Sequence, residues 1–266
     1  MRFDDFDKIM RKYEENIDQY ILSDMYMIVR LDGRAFTKFT KAAKFEKPFD
    51  EKFRDLMVNT TEFLMKNSGF KIIYGYTESD EISLLFDISD NTFNRKVRKI
   101  NTTLAGEASA YFTKQLIKEN IIKNLTDDTI VSFDCRIIPI PNFDRVLDYF
   151  VWRQEDSHRN SLNGYCYWTA RKEGLSKGEA TKLIERRGND FKNEMLFKKG
   201  INFNDTPTWH RRGVALYNKK VEKVGVNKLT GEKTITTRNS IFKDYELEIG
   251  EAYKEYIRNI VKEGTY

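Results

Sequence analysis

Residues 70–86 read FKIIYGYTESDEISLLF, two apolar runs with the polar residues 77–80 between them. Short runs rich in β-branched and aromatic residues, separated by a polar turn, predict the two strands of a hairpin. Upstream, MYMIVRL (25–31) predicts a buried strand, and residues 50–67 have the apolar spacing of a helix. Downstream, about 92–119 predicts a long helix and TIVSFDCRIIPI (129–140) a further strand. The order from Met25 is strand, helix, strand, strand, helix, strand.

That order is the split βαβ, or ferredoxin-like, unit, which polymerase palms and nucleotide cyclases share. The predicted fold class is therefore α+β, an antiparallel sheet with helices. From residue 142 the pattern is mostly helical up to about 199, with Ser176 and Glu179 spaced as a capping box. Residues 212–240 predict a β-hairpin with Thr230-Gly231 in its turn, and a closing helix follows. We expect a palm-like catalytic domain over 1–140 and a helical region with a hairpin over 141–266, packed on the palm.

The bulk composition excludes several classes of protein. The 266 residues carry 46 basic and 41 acidic side chains, a net charge of +5. This mild excess permits a polyanionic partner, although an ordinary slightly basic surface explains it equally well. Two cysteines and two histidines are too few for a structural zinc site or a disulfide framework. No apolar run approaches a membrane span, and the N-terminus does not resemble a targeting peptide, so we expect a cytoplasmic protein without membrane contact.

Two aspartates stand at the ends of predicted neighbouring strands. Asp32 ends the first strand and Asp80 opens the third, and these strands are antiparallel neighbours in the split βαβ unit. Because adjacent strands lie about 4.8 Å apart, both carboxylates can reach two Mg²⁺ ions about 4 Å apart. Taken singly, each aspartate is better explained as an ordinary turn residue; together they favour a metal site. Glu78 and Glu81 flank Asp80 and either assist there or are solvated.

Gly33 follows Asp32 and lacks a side chain, so its backbone can approach a metal or phosphate closely. The amides of Gly33, Arg34, Ala35 and Phe36 are candidates for a phosphate-binding nest. The chemistry that such a site serves is phosphoryl transfer, in which positioning and charge neutralisation do most of the work.

The segments MIVRLDGRAFTKFT (27–40) and YGYTESDEISLLF (74–86) resemble the signature motifs of the tRNA-His guanylyltransferase family and its 3′-to-5′ RNA polymerase relatives. KFEKPFDEKF (44–53), DYFVWRQEDSHRNSLN (148–163) and KNEMLF (192–197) are similar as well. The resemblance covers about residues 1–218 in unbroken order. It implies a nucleotidyltransferase that acts on tRNA, typically as a homotetramer.

The resemblance implies two steps and a set of site residues. ATP first adenylylates a 5′-monophosphate, and the 3′-hydroxyl of GTP or another NTP then attacks that phosphate, with two Mg²⁺ ions at the centre. Asp32, Asp80 and the carbonyl of Gly33 would hold the metal, with Glu81 as a further catalytic residue. The nucleotide-binding set is Asp32, Gly33, Arg34, Ala35, Phe36, Thr37, Lys47, Asp50, Ser79 and Asp80. The set facing RNA or a second nucleotide is Arg95, Lys96, Lys99, Arg153, His158, Asn160, Lys192 and Asn193.

The family's His-Ile-Asn-Asn motif corresponds here to His158-Arg159-Asn160-Ser161. Because the second asparagine is serine, we expect templated repair of truncated tRNA 5′ ends, with addition of the extra guanylate to tRNA-His as the alternative. A palm-type nucleotide cyclase and a non-catalytic tRNA-binding module are further alternatives. The basic cluster NRKVRK (94–99) is explained equally well as an RNA grip or as a solvated helix face. His158 is likewise either near the activated RNA end or on a helix surface.

Overall fold

The computed structural model describes residues 2–226 and 233–264. Up to residue 140 the helices and strands are α1 (Phe3–Glu15), β1 (Tyr26–Gly33), α2 (Phe36–Ala42), α3 (Glu51–Asn67), β2 (Ile72–Glu78), β3 (Glu81–Phe86), α4 (Val97–Lys118) and β4 (Phe133–Ile140). After residue 140 they are α5 (Phe143–Lys172), α6 (Lys177–Ile184), α7 (Asn189–Phe197), α8 (Thr208–Arg212), β5 (Val214–Val226), β6 (Lys233–Asp244) and α9 (Gly250–Gly264).

The six strands form one antiparallel sheet in the order β4-β1-β3-β2-β5-β6. The predicted order of strands and helices over 25–140 is present, with the short α2 added after β1. As expected, β1 and β3 are antiparallel neighbours. The turn between β2 and β3 is shorter than predicted, because residues 77 and 78 continue β2 and only Ser79 and Asp80 lie outside the strands.

The predicted C-terminal hairpin is part of this same sheet. β5 pairs with β2 from Val214 to Tyr217, and then continues with β6 alone. The predicted turn at Thr230-Gly231 lies outside the described residues. Because the sheet runs through both halves of the chain, the boundary expected at residue 140 does not divide the sheet.

Each face of the sheet has its own core, because side chains alternate along a strand. Met27, Val29 and Leu31 of β1 pack with α3 and α4 on one face. Ile28, between them, belongs to the second core, under α5 and α9. A third cluster, which includes Cys166, joins α5 to α7. Cys166 is fully buried and Cys135 is half-buried, and both are free thiols.

Two helices have unexpected features. α1 has the apolar spacing of an amphipathic helix, yet it buries no residue, and Phe3 is 77% exposed. α4 begins at Val97 rather than near 92, because Phe93, Asn94 and Arg95 have positive φ angles of 55°, 51° and 58°. The predicted capping box is present, with Ser176 and Glu179 bonded reciprocally at the start of α6. Within the described ranges, every helix is too short or too polar to cross a membrane.

Candidate active site

Four carboxylates lie in one row across four strands. Asp32 of β1 is directly opposite Glu81 of β3 on one side and Asp134 of β4 on the other. Glu81 is in turn opposite Glu78 of β2. Directly opposed residues of antiparallel strands share a face of the sheet. We call Asp134, Asp32, Glu81 and Glu78 the acidic row.

Asp134 was missed by the sequence analysis. The fourth strand was recognised, and its antiparallel pairing with the first was implied by the topology. The missing information was the register, because a shift of one residue would have moved Asp134 to the other face. It is 56% exposed, and Arg136 lies 3.4 Å from its carboxylate.

Asp80 lies beside the acidic row, in the two-residue turn that follows β2. Ser79 adopts a left-handed conformation with φ of 46°, and its hydroxyl donates to Asp80 Oδ1 at 3.1 Å. The amide of Gly33 donates to the carbonyl of Asp80 at 3.0 Å, which ties this turn to the end of β1. The two aspartates expected to converge therefore stand at adjoining strand ends.

The charges of these two aspartates act on each other. Burial raises the pKa of the Asp80 carboxyl, and the nearby Asp32 carboxylate raises it further. Among the described residues, no lysine or arginine forms an ion pair with either Asp32 or Asp80. The nearby charge of Lys47 lowers the pKa of Asp80 only in part, and a partly buried carboxylate pair that forms no ion pair is costly, so the arrangement suits a bound cation.

The described side chains contain no group of three or more His, Cys, Asp or Glu residues arranged to hold a metal. Within the described part of the chain, Asp32 and Asp80 are thus the candidate side-chain ligands, and other oxygens would come from backbone, water or phosphates. Mg²⁺ is commonly bound in this way, through one or two carboxylates and substrate phosphates. The residues present therefore fit Mg²⁺ as an ion that binds together with a nucleotide.

The predicted phosphate nest is wrong for two of its four amides. Gly33 donates to Asp80, as above, and the amide of Arg34 donates to the carbonyl of Ser132 at 2.9 Å, because sheet pairing continues past Asp32. The amides available for an anion begin at α2, where Ala35 has φ of 59° and supplies no side-chain cap. Gly33 is also required for packing, since an added Cβ would lie 2.4 Å from the ring of Phe36.

The KPFD stretch (47–50) brings one basic side chain to the site. Lys47 Nζ donates to Thr40 Oγ1 at 2.8 Å. Burial lowers the pKa of Lys47, and the charges of Asp50 and Asp80 oppose this shift, which places the ammonium near the aspartate pair. Asp50, expected to bind nucleotide, instead caps α3 by accepting from the amide of Phe53 at 3.0 Å and also accepts from that of Glu46 at 2.8 Å.

Arg153 was expected to face RNA, but the structure buries it at 5% exposure. Its guanidinium donates to Glu81 at 2.7 and 2.8 Å, to Glu78 at 3.3 Å and to Asp156 at 3.1 Å. Burial raises the pKa of Glu78 to about 8 and also raises that of Glu81. The expectation failed because these carboxylates, 72 and 75 positions away in the chain, hold the Nε and Nη2 donors and draw the side chain into the protein.

The basic cluster does not form one RNA-facing surface. Arg95 is 3% exposed and donates to the carbonyls of Ser23 and Met25, because the left-handed backbone before α4 turns it inward. Lys96 is paired with Asp18 at 2.7 Å. Of the three predicted residues, Lys99 remains exposed to solvent, with its ammonium 5.9 Å from the Phe93 ring centroid.

The remaining predicted residues lie on α5 and α7, and no contact joins them to Asp32 or Asp80. His158 is half-buried with its ring edge-on to Phe203, and burial lowers its pKa. Asn160 is exposed and donates to Asp156 at 3.2 Å. Lys192 is buried, contrary to an RNA contact, whereas Asn193 is exposed.

Comparisons with known proteins agree over most of the chain. Residues 7–141 match the family model for tRNAHis guanylyltransferase, and residues 144–257 match the model for the C-terminal domain of the same family. A probable tRNA(His) guanylyltransferase of Dictyostelium discoideum is 31% identical over 252 residues, 92% of this chain and 95% of the relative. The tRNA(His) guanylyltransferase of Debaryomyces hansenii is 35% identical over 202 residues, 75% of this chain and 76% of the relative.

Solved structures give the same result. The tRNA(His) guanylyltransferase of Saccharomyces cerevisiae superposes with a TM-score of 0.71 at 28% identity, covering 85% of this chain and 95% of that one. A bacterial tRNA(His) guanylyltransferase-like protein in complex with ATP has a TM-score of 0.72 at 26% identity, covering 96% and 97%. Its complex with GTP has a TM-score of 0.69 at 25% identity, covering 97% and 99%. The chain belongs to the tRNA(His) guanylyltransferase family and is a nucleotidyltransferase.

Proposed function

We propose that the protein adds a guanylate from GTP to the 5′ end of tRNA-His, after ATP has activated the 5′ phosphate. The observation that carries this proposal is the placement of Asp32 and Asp80 at adjoining strand ends, with no ion pair to either carboxylate among the described residues. Relatives named tRNA(His) guanylyltransferases and bacterial neighbours in complex with ATP and GTP support the substrates.

In this proposal the sheet acts as a polymerase-like palm. Asp32, Asp80 and the carbonyl of Gly33 would hold two Mg²⁺ ions, which would lower the pKa of the attacking hydroxyl and neutralise charge on the triphosphate. Lys47 and the first amides of α2 contact phosphate oxygens, and Ser79 orients the Asp80 carboxylate through its 3.1 Å hydrogen bond.

The proposed reaction consists of two successive steps, adenylyl transfer to the tRNA 5′ phosphate and then addition of GTP. An oxygen of the tRNA 5′-monophosphate attacks the α-phosphorus of ATP, which releases pyrophosphate and leaves an adenylylated 5′ end. The 3′-hydroxyl of GTP then attacks the 5′ phosphorus of the tRNA, which releases AMP and forms the new phosphodiester bond. Holding both nucleotides against one carboxylate pair makes each step effectively unimolecular.

Guanylate addition to tRNA-His now stands ahead of templated repair. The expectation of repair came from Ser161, which replaces the second asparagine of the His-Ile-Asn-Asn motif. Ser161 is 3% exposed, and its hydroxyl has no hydrogen-bond partner. A residue buried in this way alters packing along α5 rather than a surface that reads RNA, so the substitution is weak evidence for a change of substrate.

The test is to sequence tRNA 5′ ends after reaction with Mg²⁺, ATP and GTP. One substrate is tRNA-His without the extra guanylate, and the other is a non-His tRNA that lacks its first nucleotide. We expect one guanylate on the first substrate and little extension of the second. Preferential extension of the second would make the enzyme a repair polymerase. Cyclic nucleotide formed without RNA, or tRNA binding without pyrophosphate release, would overturn the proposal in favour of a cyclase or a non-catalytic module.

We also infer that the protein is a homo-oligomer, a tetramer if it follows the expected family pattern. The supporting observation is the unpartnered apolar stripe of α1. Its exposed members are Phe3, Phe6, Ile9, Met10, Tyr13 and the following Ile17. A solvated stripe of this width is typical of an interaction surface.

A further inference from the structure

Glu78 and Glu81 stand directly opposite each other at the base of the Ser79–Asp80 turn. Their side chains are only 9% and 11% exposed. Two ionised carboxylates facing each other across a strand pair destabilise that pairing, and the effect grows as water is removed. Without a cation here, either the two carboxylates would push apart the strand ends that carry Asp80 or one of them would take up a proton, in line with the raised pKa of Glu78.

Arg153 lies where such a cation is needed. Its Nε and Nη2 form a two-pronged contact with the two oxygens of Glu81 at 2.7 and 2.8 Å, and Nη2 also reaches Glu78 at 3.3 Å. Bidentate contacts of this kind fix direction as well as distance. The ring of the adjacent Trp152 covers the guanidinium at 4.6 Å. The other basic side chain near Glu81 is Arg30, whose Nε is 3.7 Å away and forms no hydrogen bond.

We propose that Arg153 is a positioning residue for the reaction. It fastens both strands that lead into the Ser79–Asp80 turn and thereby holds Asp80 beside Asp32 in the geometry that a divalent cation requires. The inference rests on the proposed function. Arg153 lies on α5, in the segment matched by the family's C-terminal domain, so one half of the chain orders the metal-binding turn of the other.

The contacts of Arg153 separate this role from a substrate contact. Its Nε and Nη2 donors are directed at Glu78, Glu81 and Asp156, all within the protein, and the side chain is 6% exposed. A residue whose main role was to bind RNA or a triphosphate would be more exposed. Loss of Arg153 should therefore first change the order of the turn and the affinity for metal, and change turnover as a consequence.

The test uses Arg153→Lys in the full chain. Lysine keeps the charge but cannot form the fork to Glu81 and reach Glu78 at once. Outer contacts that orient metal ligands typically contribute 10- to 100-fold to metal affinity. We therefore expect binding of Mn²⁺ in the presence of ATP, measured by electron paramagnetic resonance, to weaken about tenfold or more. Hydrogen exchange of backbone amides in residues 72–86 should quicken in the metal-free protein.

Arg159→Lys is the matched control. Arg159 lies on the same helix and pairs with the same Asp156, but it is 68% exposed and does not contact Glu78 or Glu81. This variant should bind Mn²⁺ like the parent. A second variant, Glu78→Gln, removes a buried carboxylate and so keeps the fold even if Arg153→Lys does not. It should weaken Mn²⁺ binding by a smaller factor, about two- to fivefold, because the Glu81 fork remains.

Parent-like Mn²⁺ affinity and amide exchange in folded Arg153→Lys, or in Glu78→Gln if the lysine variant does not fold, would overturn the proposal. Failure of the proposed function has a different signature. In that case the parent would transfer no nucleotide to tRNA, while the loss of Mn²⁺ affinity in Arg153→Lys would still be measured.

Discussion

Asp32 lies directly opposite Glu81 in the pairing of β1 with β3, yet the two carboxylates have different surroundings. Glu81 is held by Arg153 at 2.7 Å and faces Arg30 at 3.7 Å. Asp32 has no ion-pair partner among the described residues. The acidic row is thus divided into carboxylates neutralised inside the protein and a carboxylate left for a ligand. Asp80, which the turn places beside Asp32, belongs with the second kind.

Asp80→Asn should abolish nucleotide transfer without lowering stability. The change removes a charge from the proposed cation site, which we expect to reduce transfer at least about 100-fold. Because the pKa of Asp80 is already raised by burial and by Asp32, loss of its charge relieves repulsion in the free protein. Transfer is measured with labelled GTP, and stability by thermal unfolding. Asp128→Asn, in the exposed loop before β4, is the control, and parent-like transfer by Asp80→Asn would refute the metal site.

Gly33→Ala should destabilise the protein by roughly 1–3 kcal/mol, the usual cost of overpacking a core. The new methyl group would lie 2.4 Å from the buried ring of Phe36, and that ring packs against Phe39, Phe112 and Phe133. Urea unfolding gives the free energy directly. Gly106→Ala in α4 has open space around the added methyl and should stabilise the helix by about 0.5–1 kcal/mol. An equal effect of the two changes would show that the Phe36 contact does not constrain residue 33.

Stability should fall between pH 7 and pH 5 in part because of His210. Burial lowers the pKa of His210 from 6.5 to about 4, and its ring stacks on Phe49 at 4.3 Å. The unfolded chain therefore binds a proton over this range that the folded chain does not. The contribution is fully present above pH 6.5 and is lost as the pH falls towards 4. After allowance for partial exposure, the loss at pH 5 is about 1 kcal/mol.

The measurement for His210 is urea unfolding at pH 7 and pH 5, with His210→Gln for comparison. The glutamine variant should be less stable at pH 7, because it loses the stack on Phe49 and the contact of Nδ1 with the Tyr165 hydroxyl at 2.6 Å. Its loss of stability on acidification should, however, be smaller than that of the parent. Equal losses would mean that His210 titrates normally in the folded protein.

Phe6→Asp should reduce the oligomeric mass measured by light scattering. Phe6 lies in the middle of the exposed apolar stripe of α1, and a charge there opposes burial between subunits. Lys8→Asp, on the polar side of the same helix, should leave the mass unchanged. Since α1 contributes nothing buried to its own chain, neither substitution should destabilise the fold of the single subunit. The melting temperature of Phe6→Asp should be lower than that of the parent only by the stabilisation that subunit association supplies, and it should not depend on protein concentration. A monomeric parent would remove the basis for the oligomer.

The arrangement of the first four strands and the placement of Asp32 and Asp80 at neighbouring strand ends could be predicted from sequence, whereas the pairing of β5 with β2 could not. Alternating apolar residues mark the strands, the polar turn marks the hairpin, and the split βαβ topology then makes β1 and β3 neighbours. Side-chain partners were harder to predict. The role of Arg153 depends on how α5 lies over β2 and β3, which no spacing within α5 encodes.

Backbone detail was the second source of error. The predicted phosphate nest failed because β1 keeps pairing through Arg34, and the predicted long helix began late because three successive residues turn left-handed. Such conformations are chosen by tertiary contacts, here the bonds from Arg95 to Ser23 and Met25. Helix propensity alone favours a regular helix through these three residues.

The pairing of β5 with β2 has a consequence for anyone who would study the N-terminal half by itself. A fragment that ended near residue 141 would lose the partner of Tyr74–Thr77 and expose a row of unsatisfied amides and carbonyls along β2. It would also uncover Ile28, Tyr74 and Leu85, which α5 and α9 shield from water. An open, apolar edge invites self-association into insoluble material. The segments that the two models of this family match share one sheet and its cores, so the N-terminal segment is not a separate unit of folding.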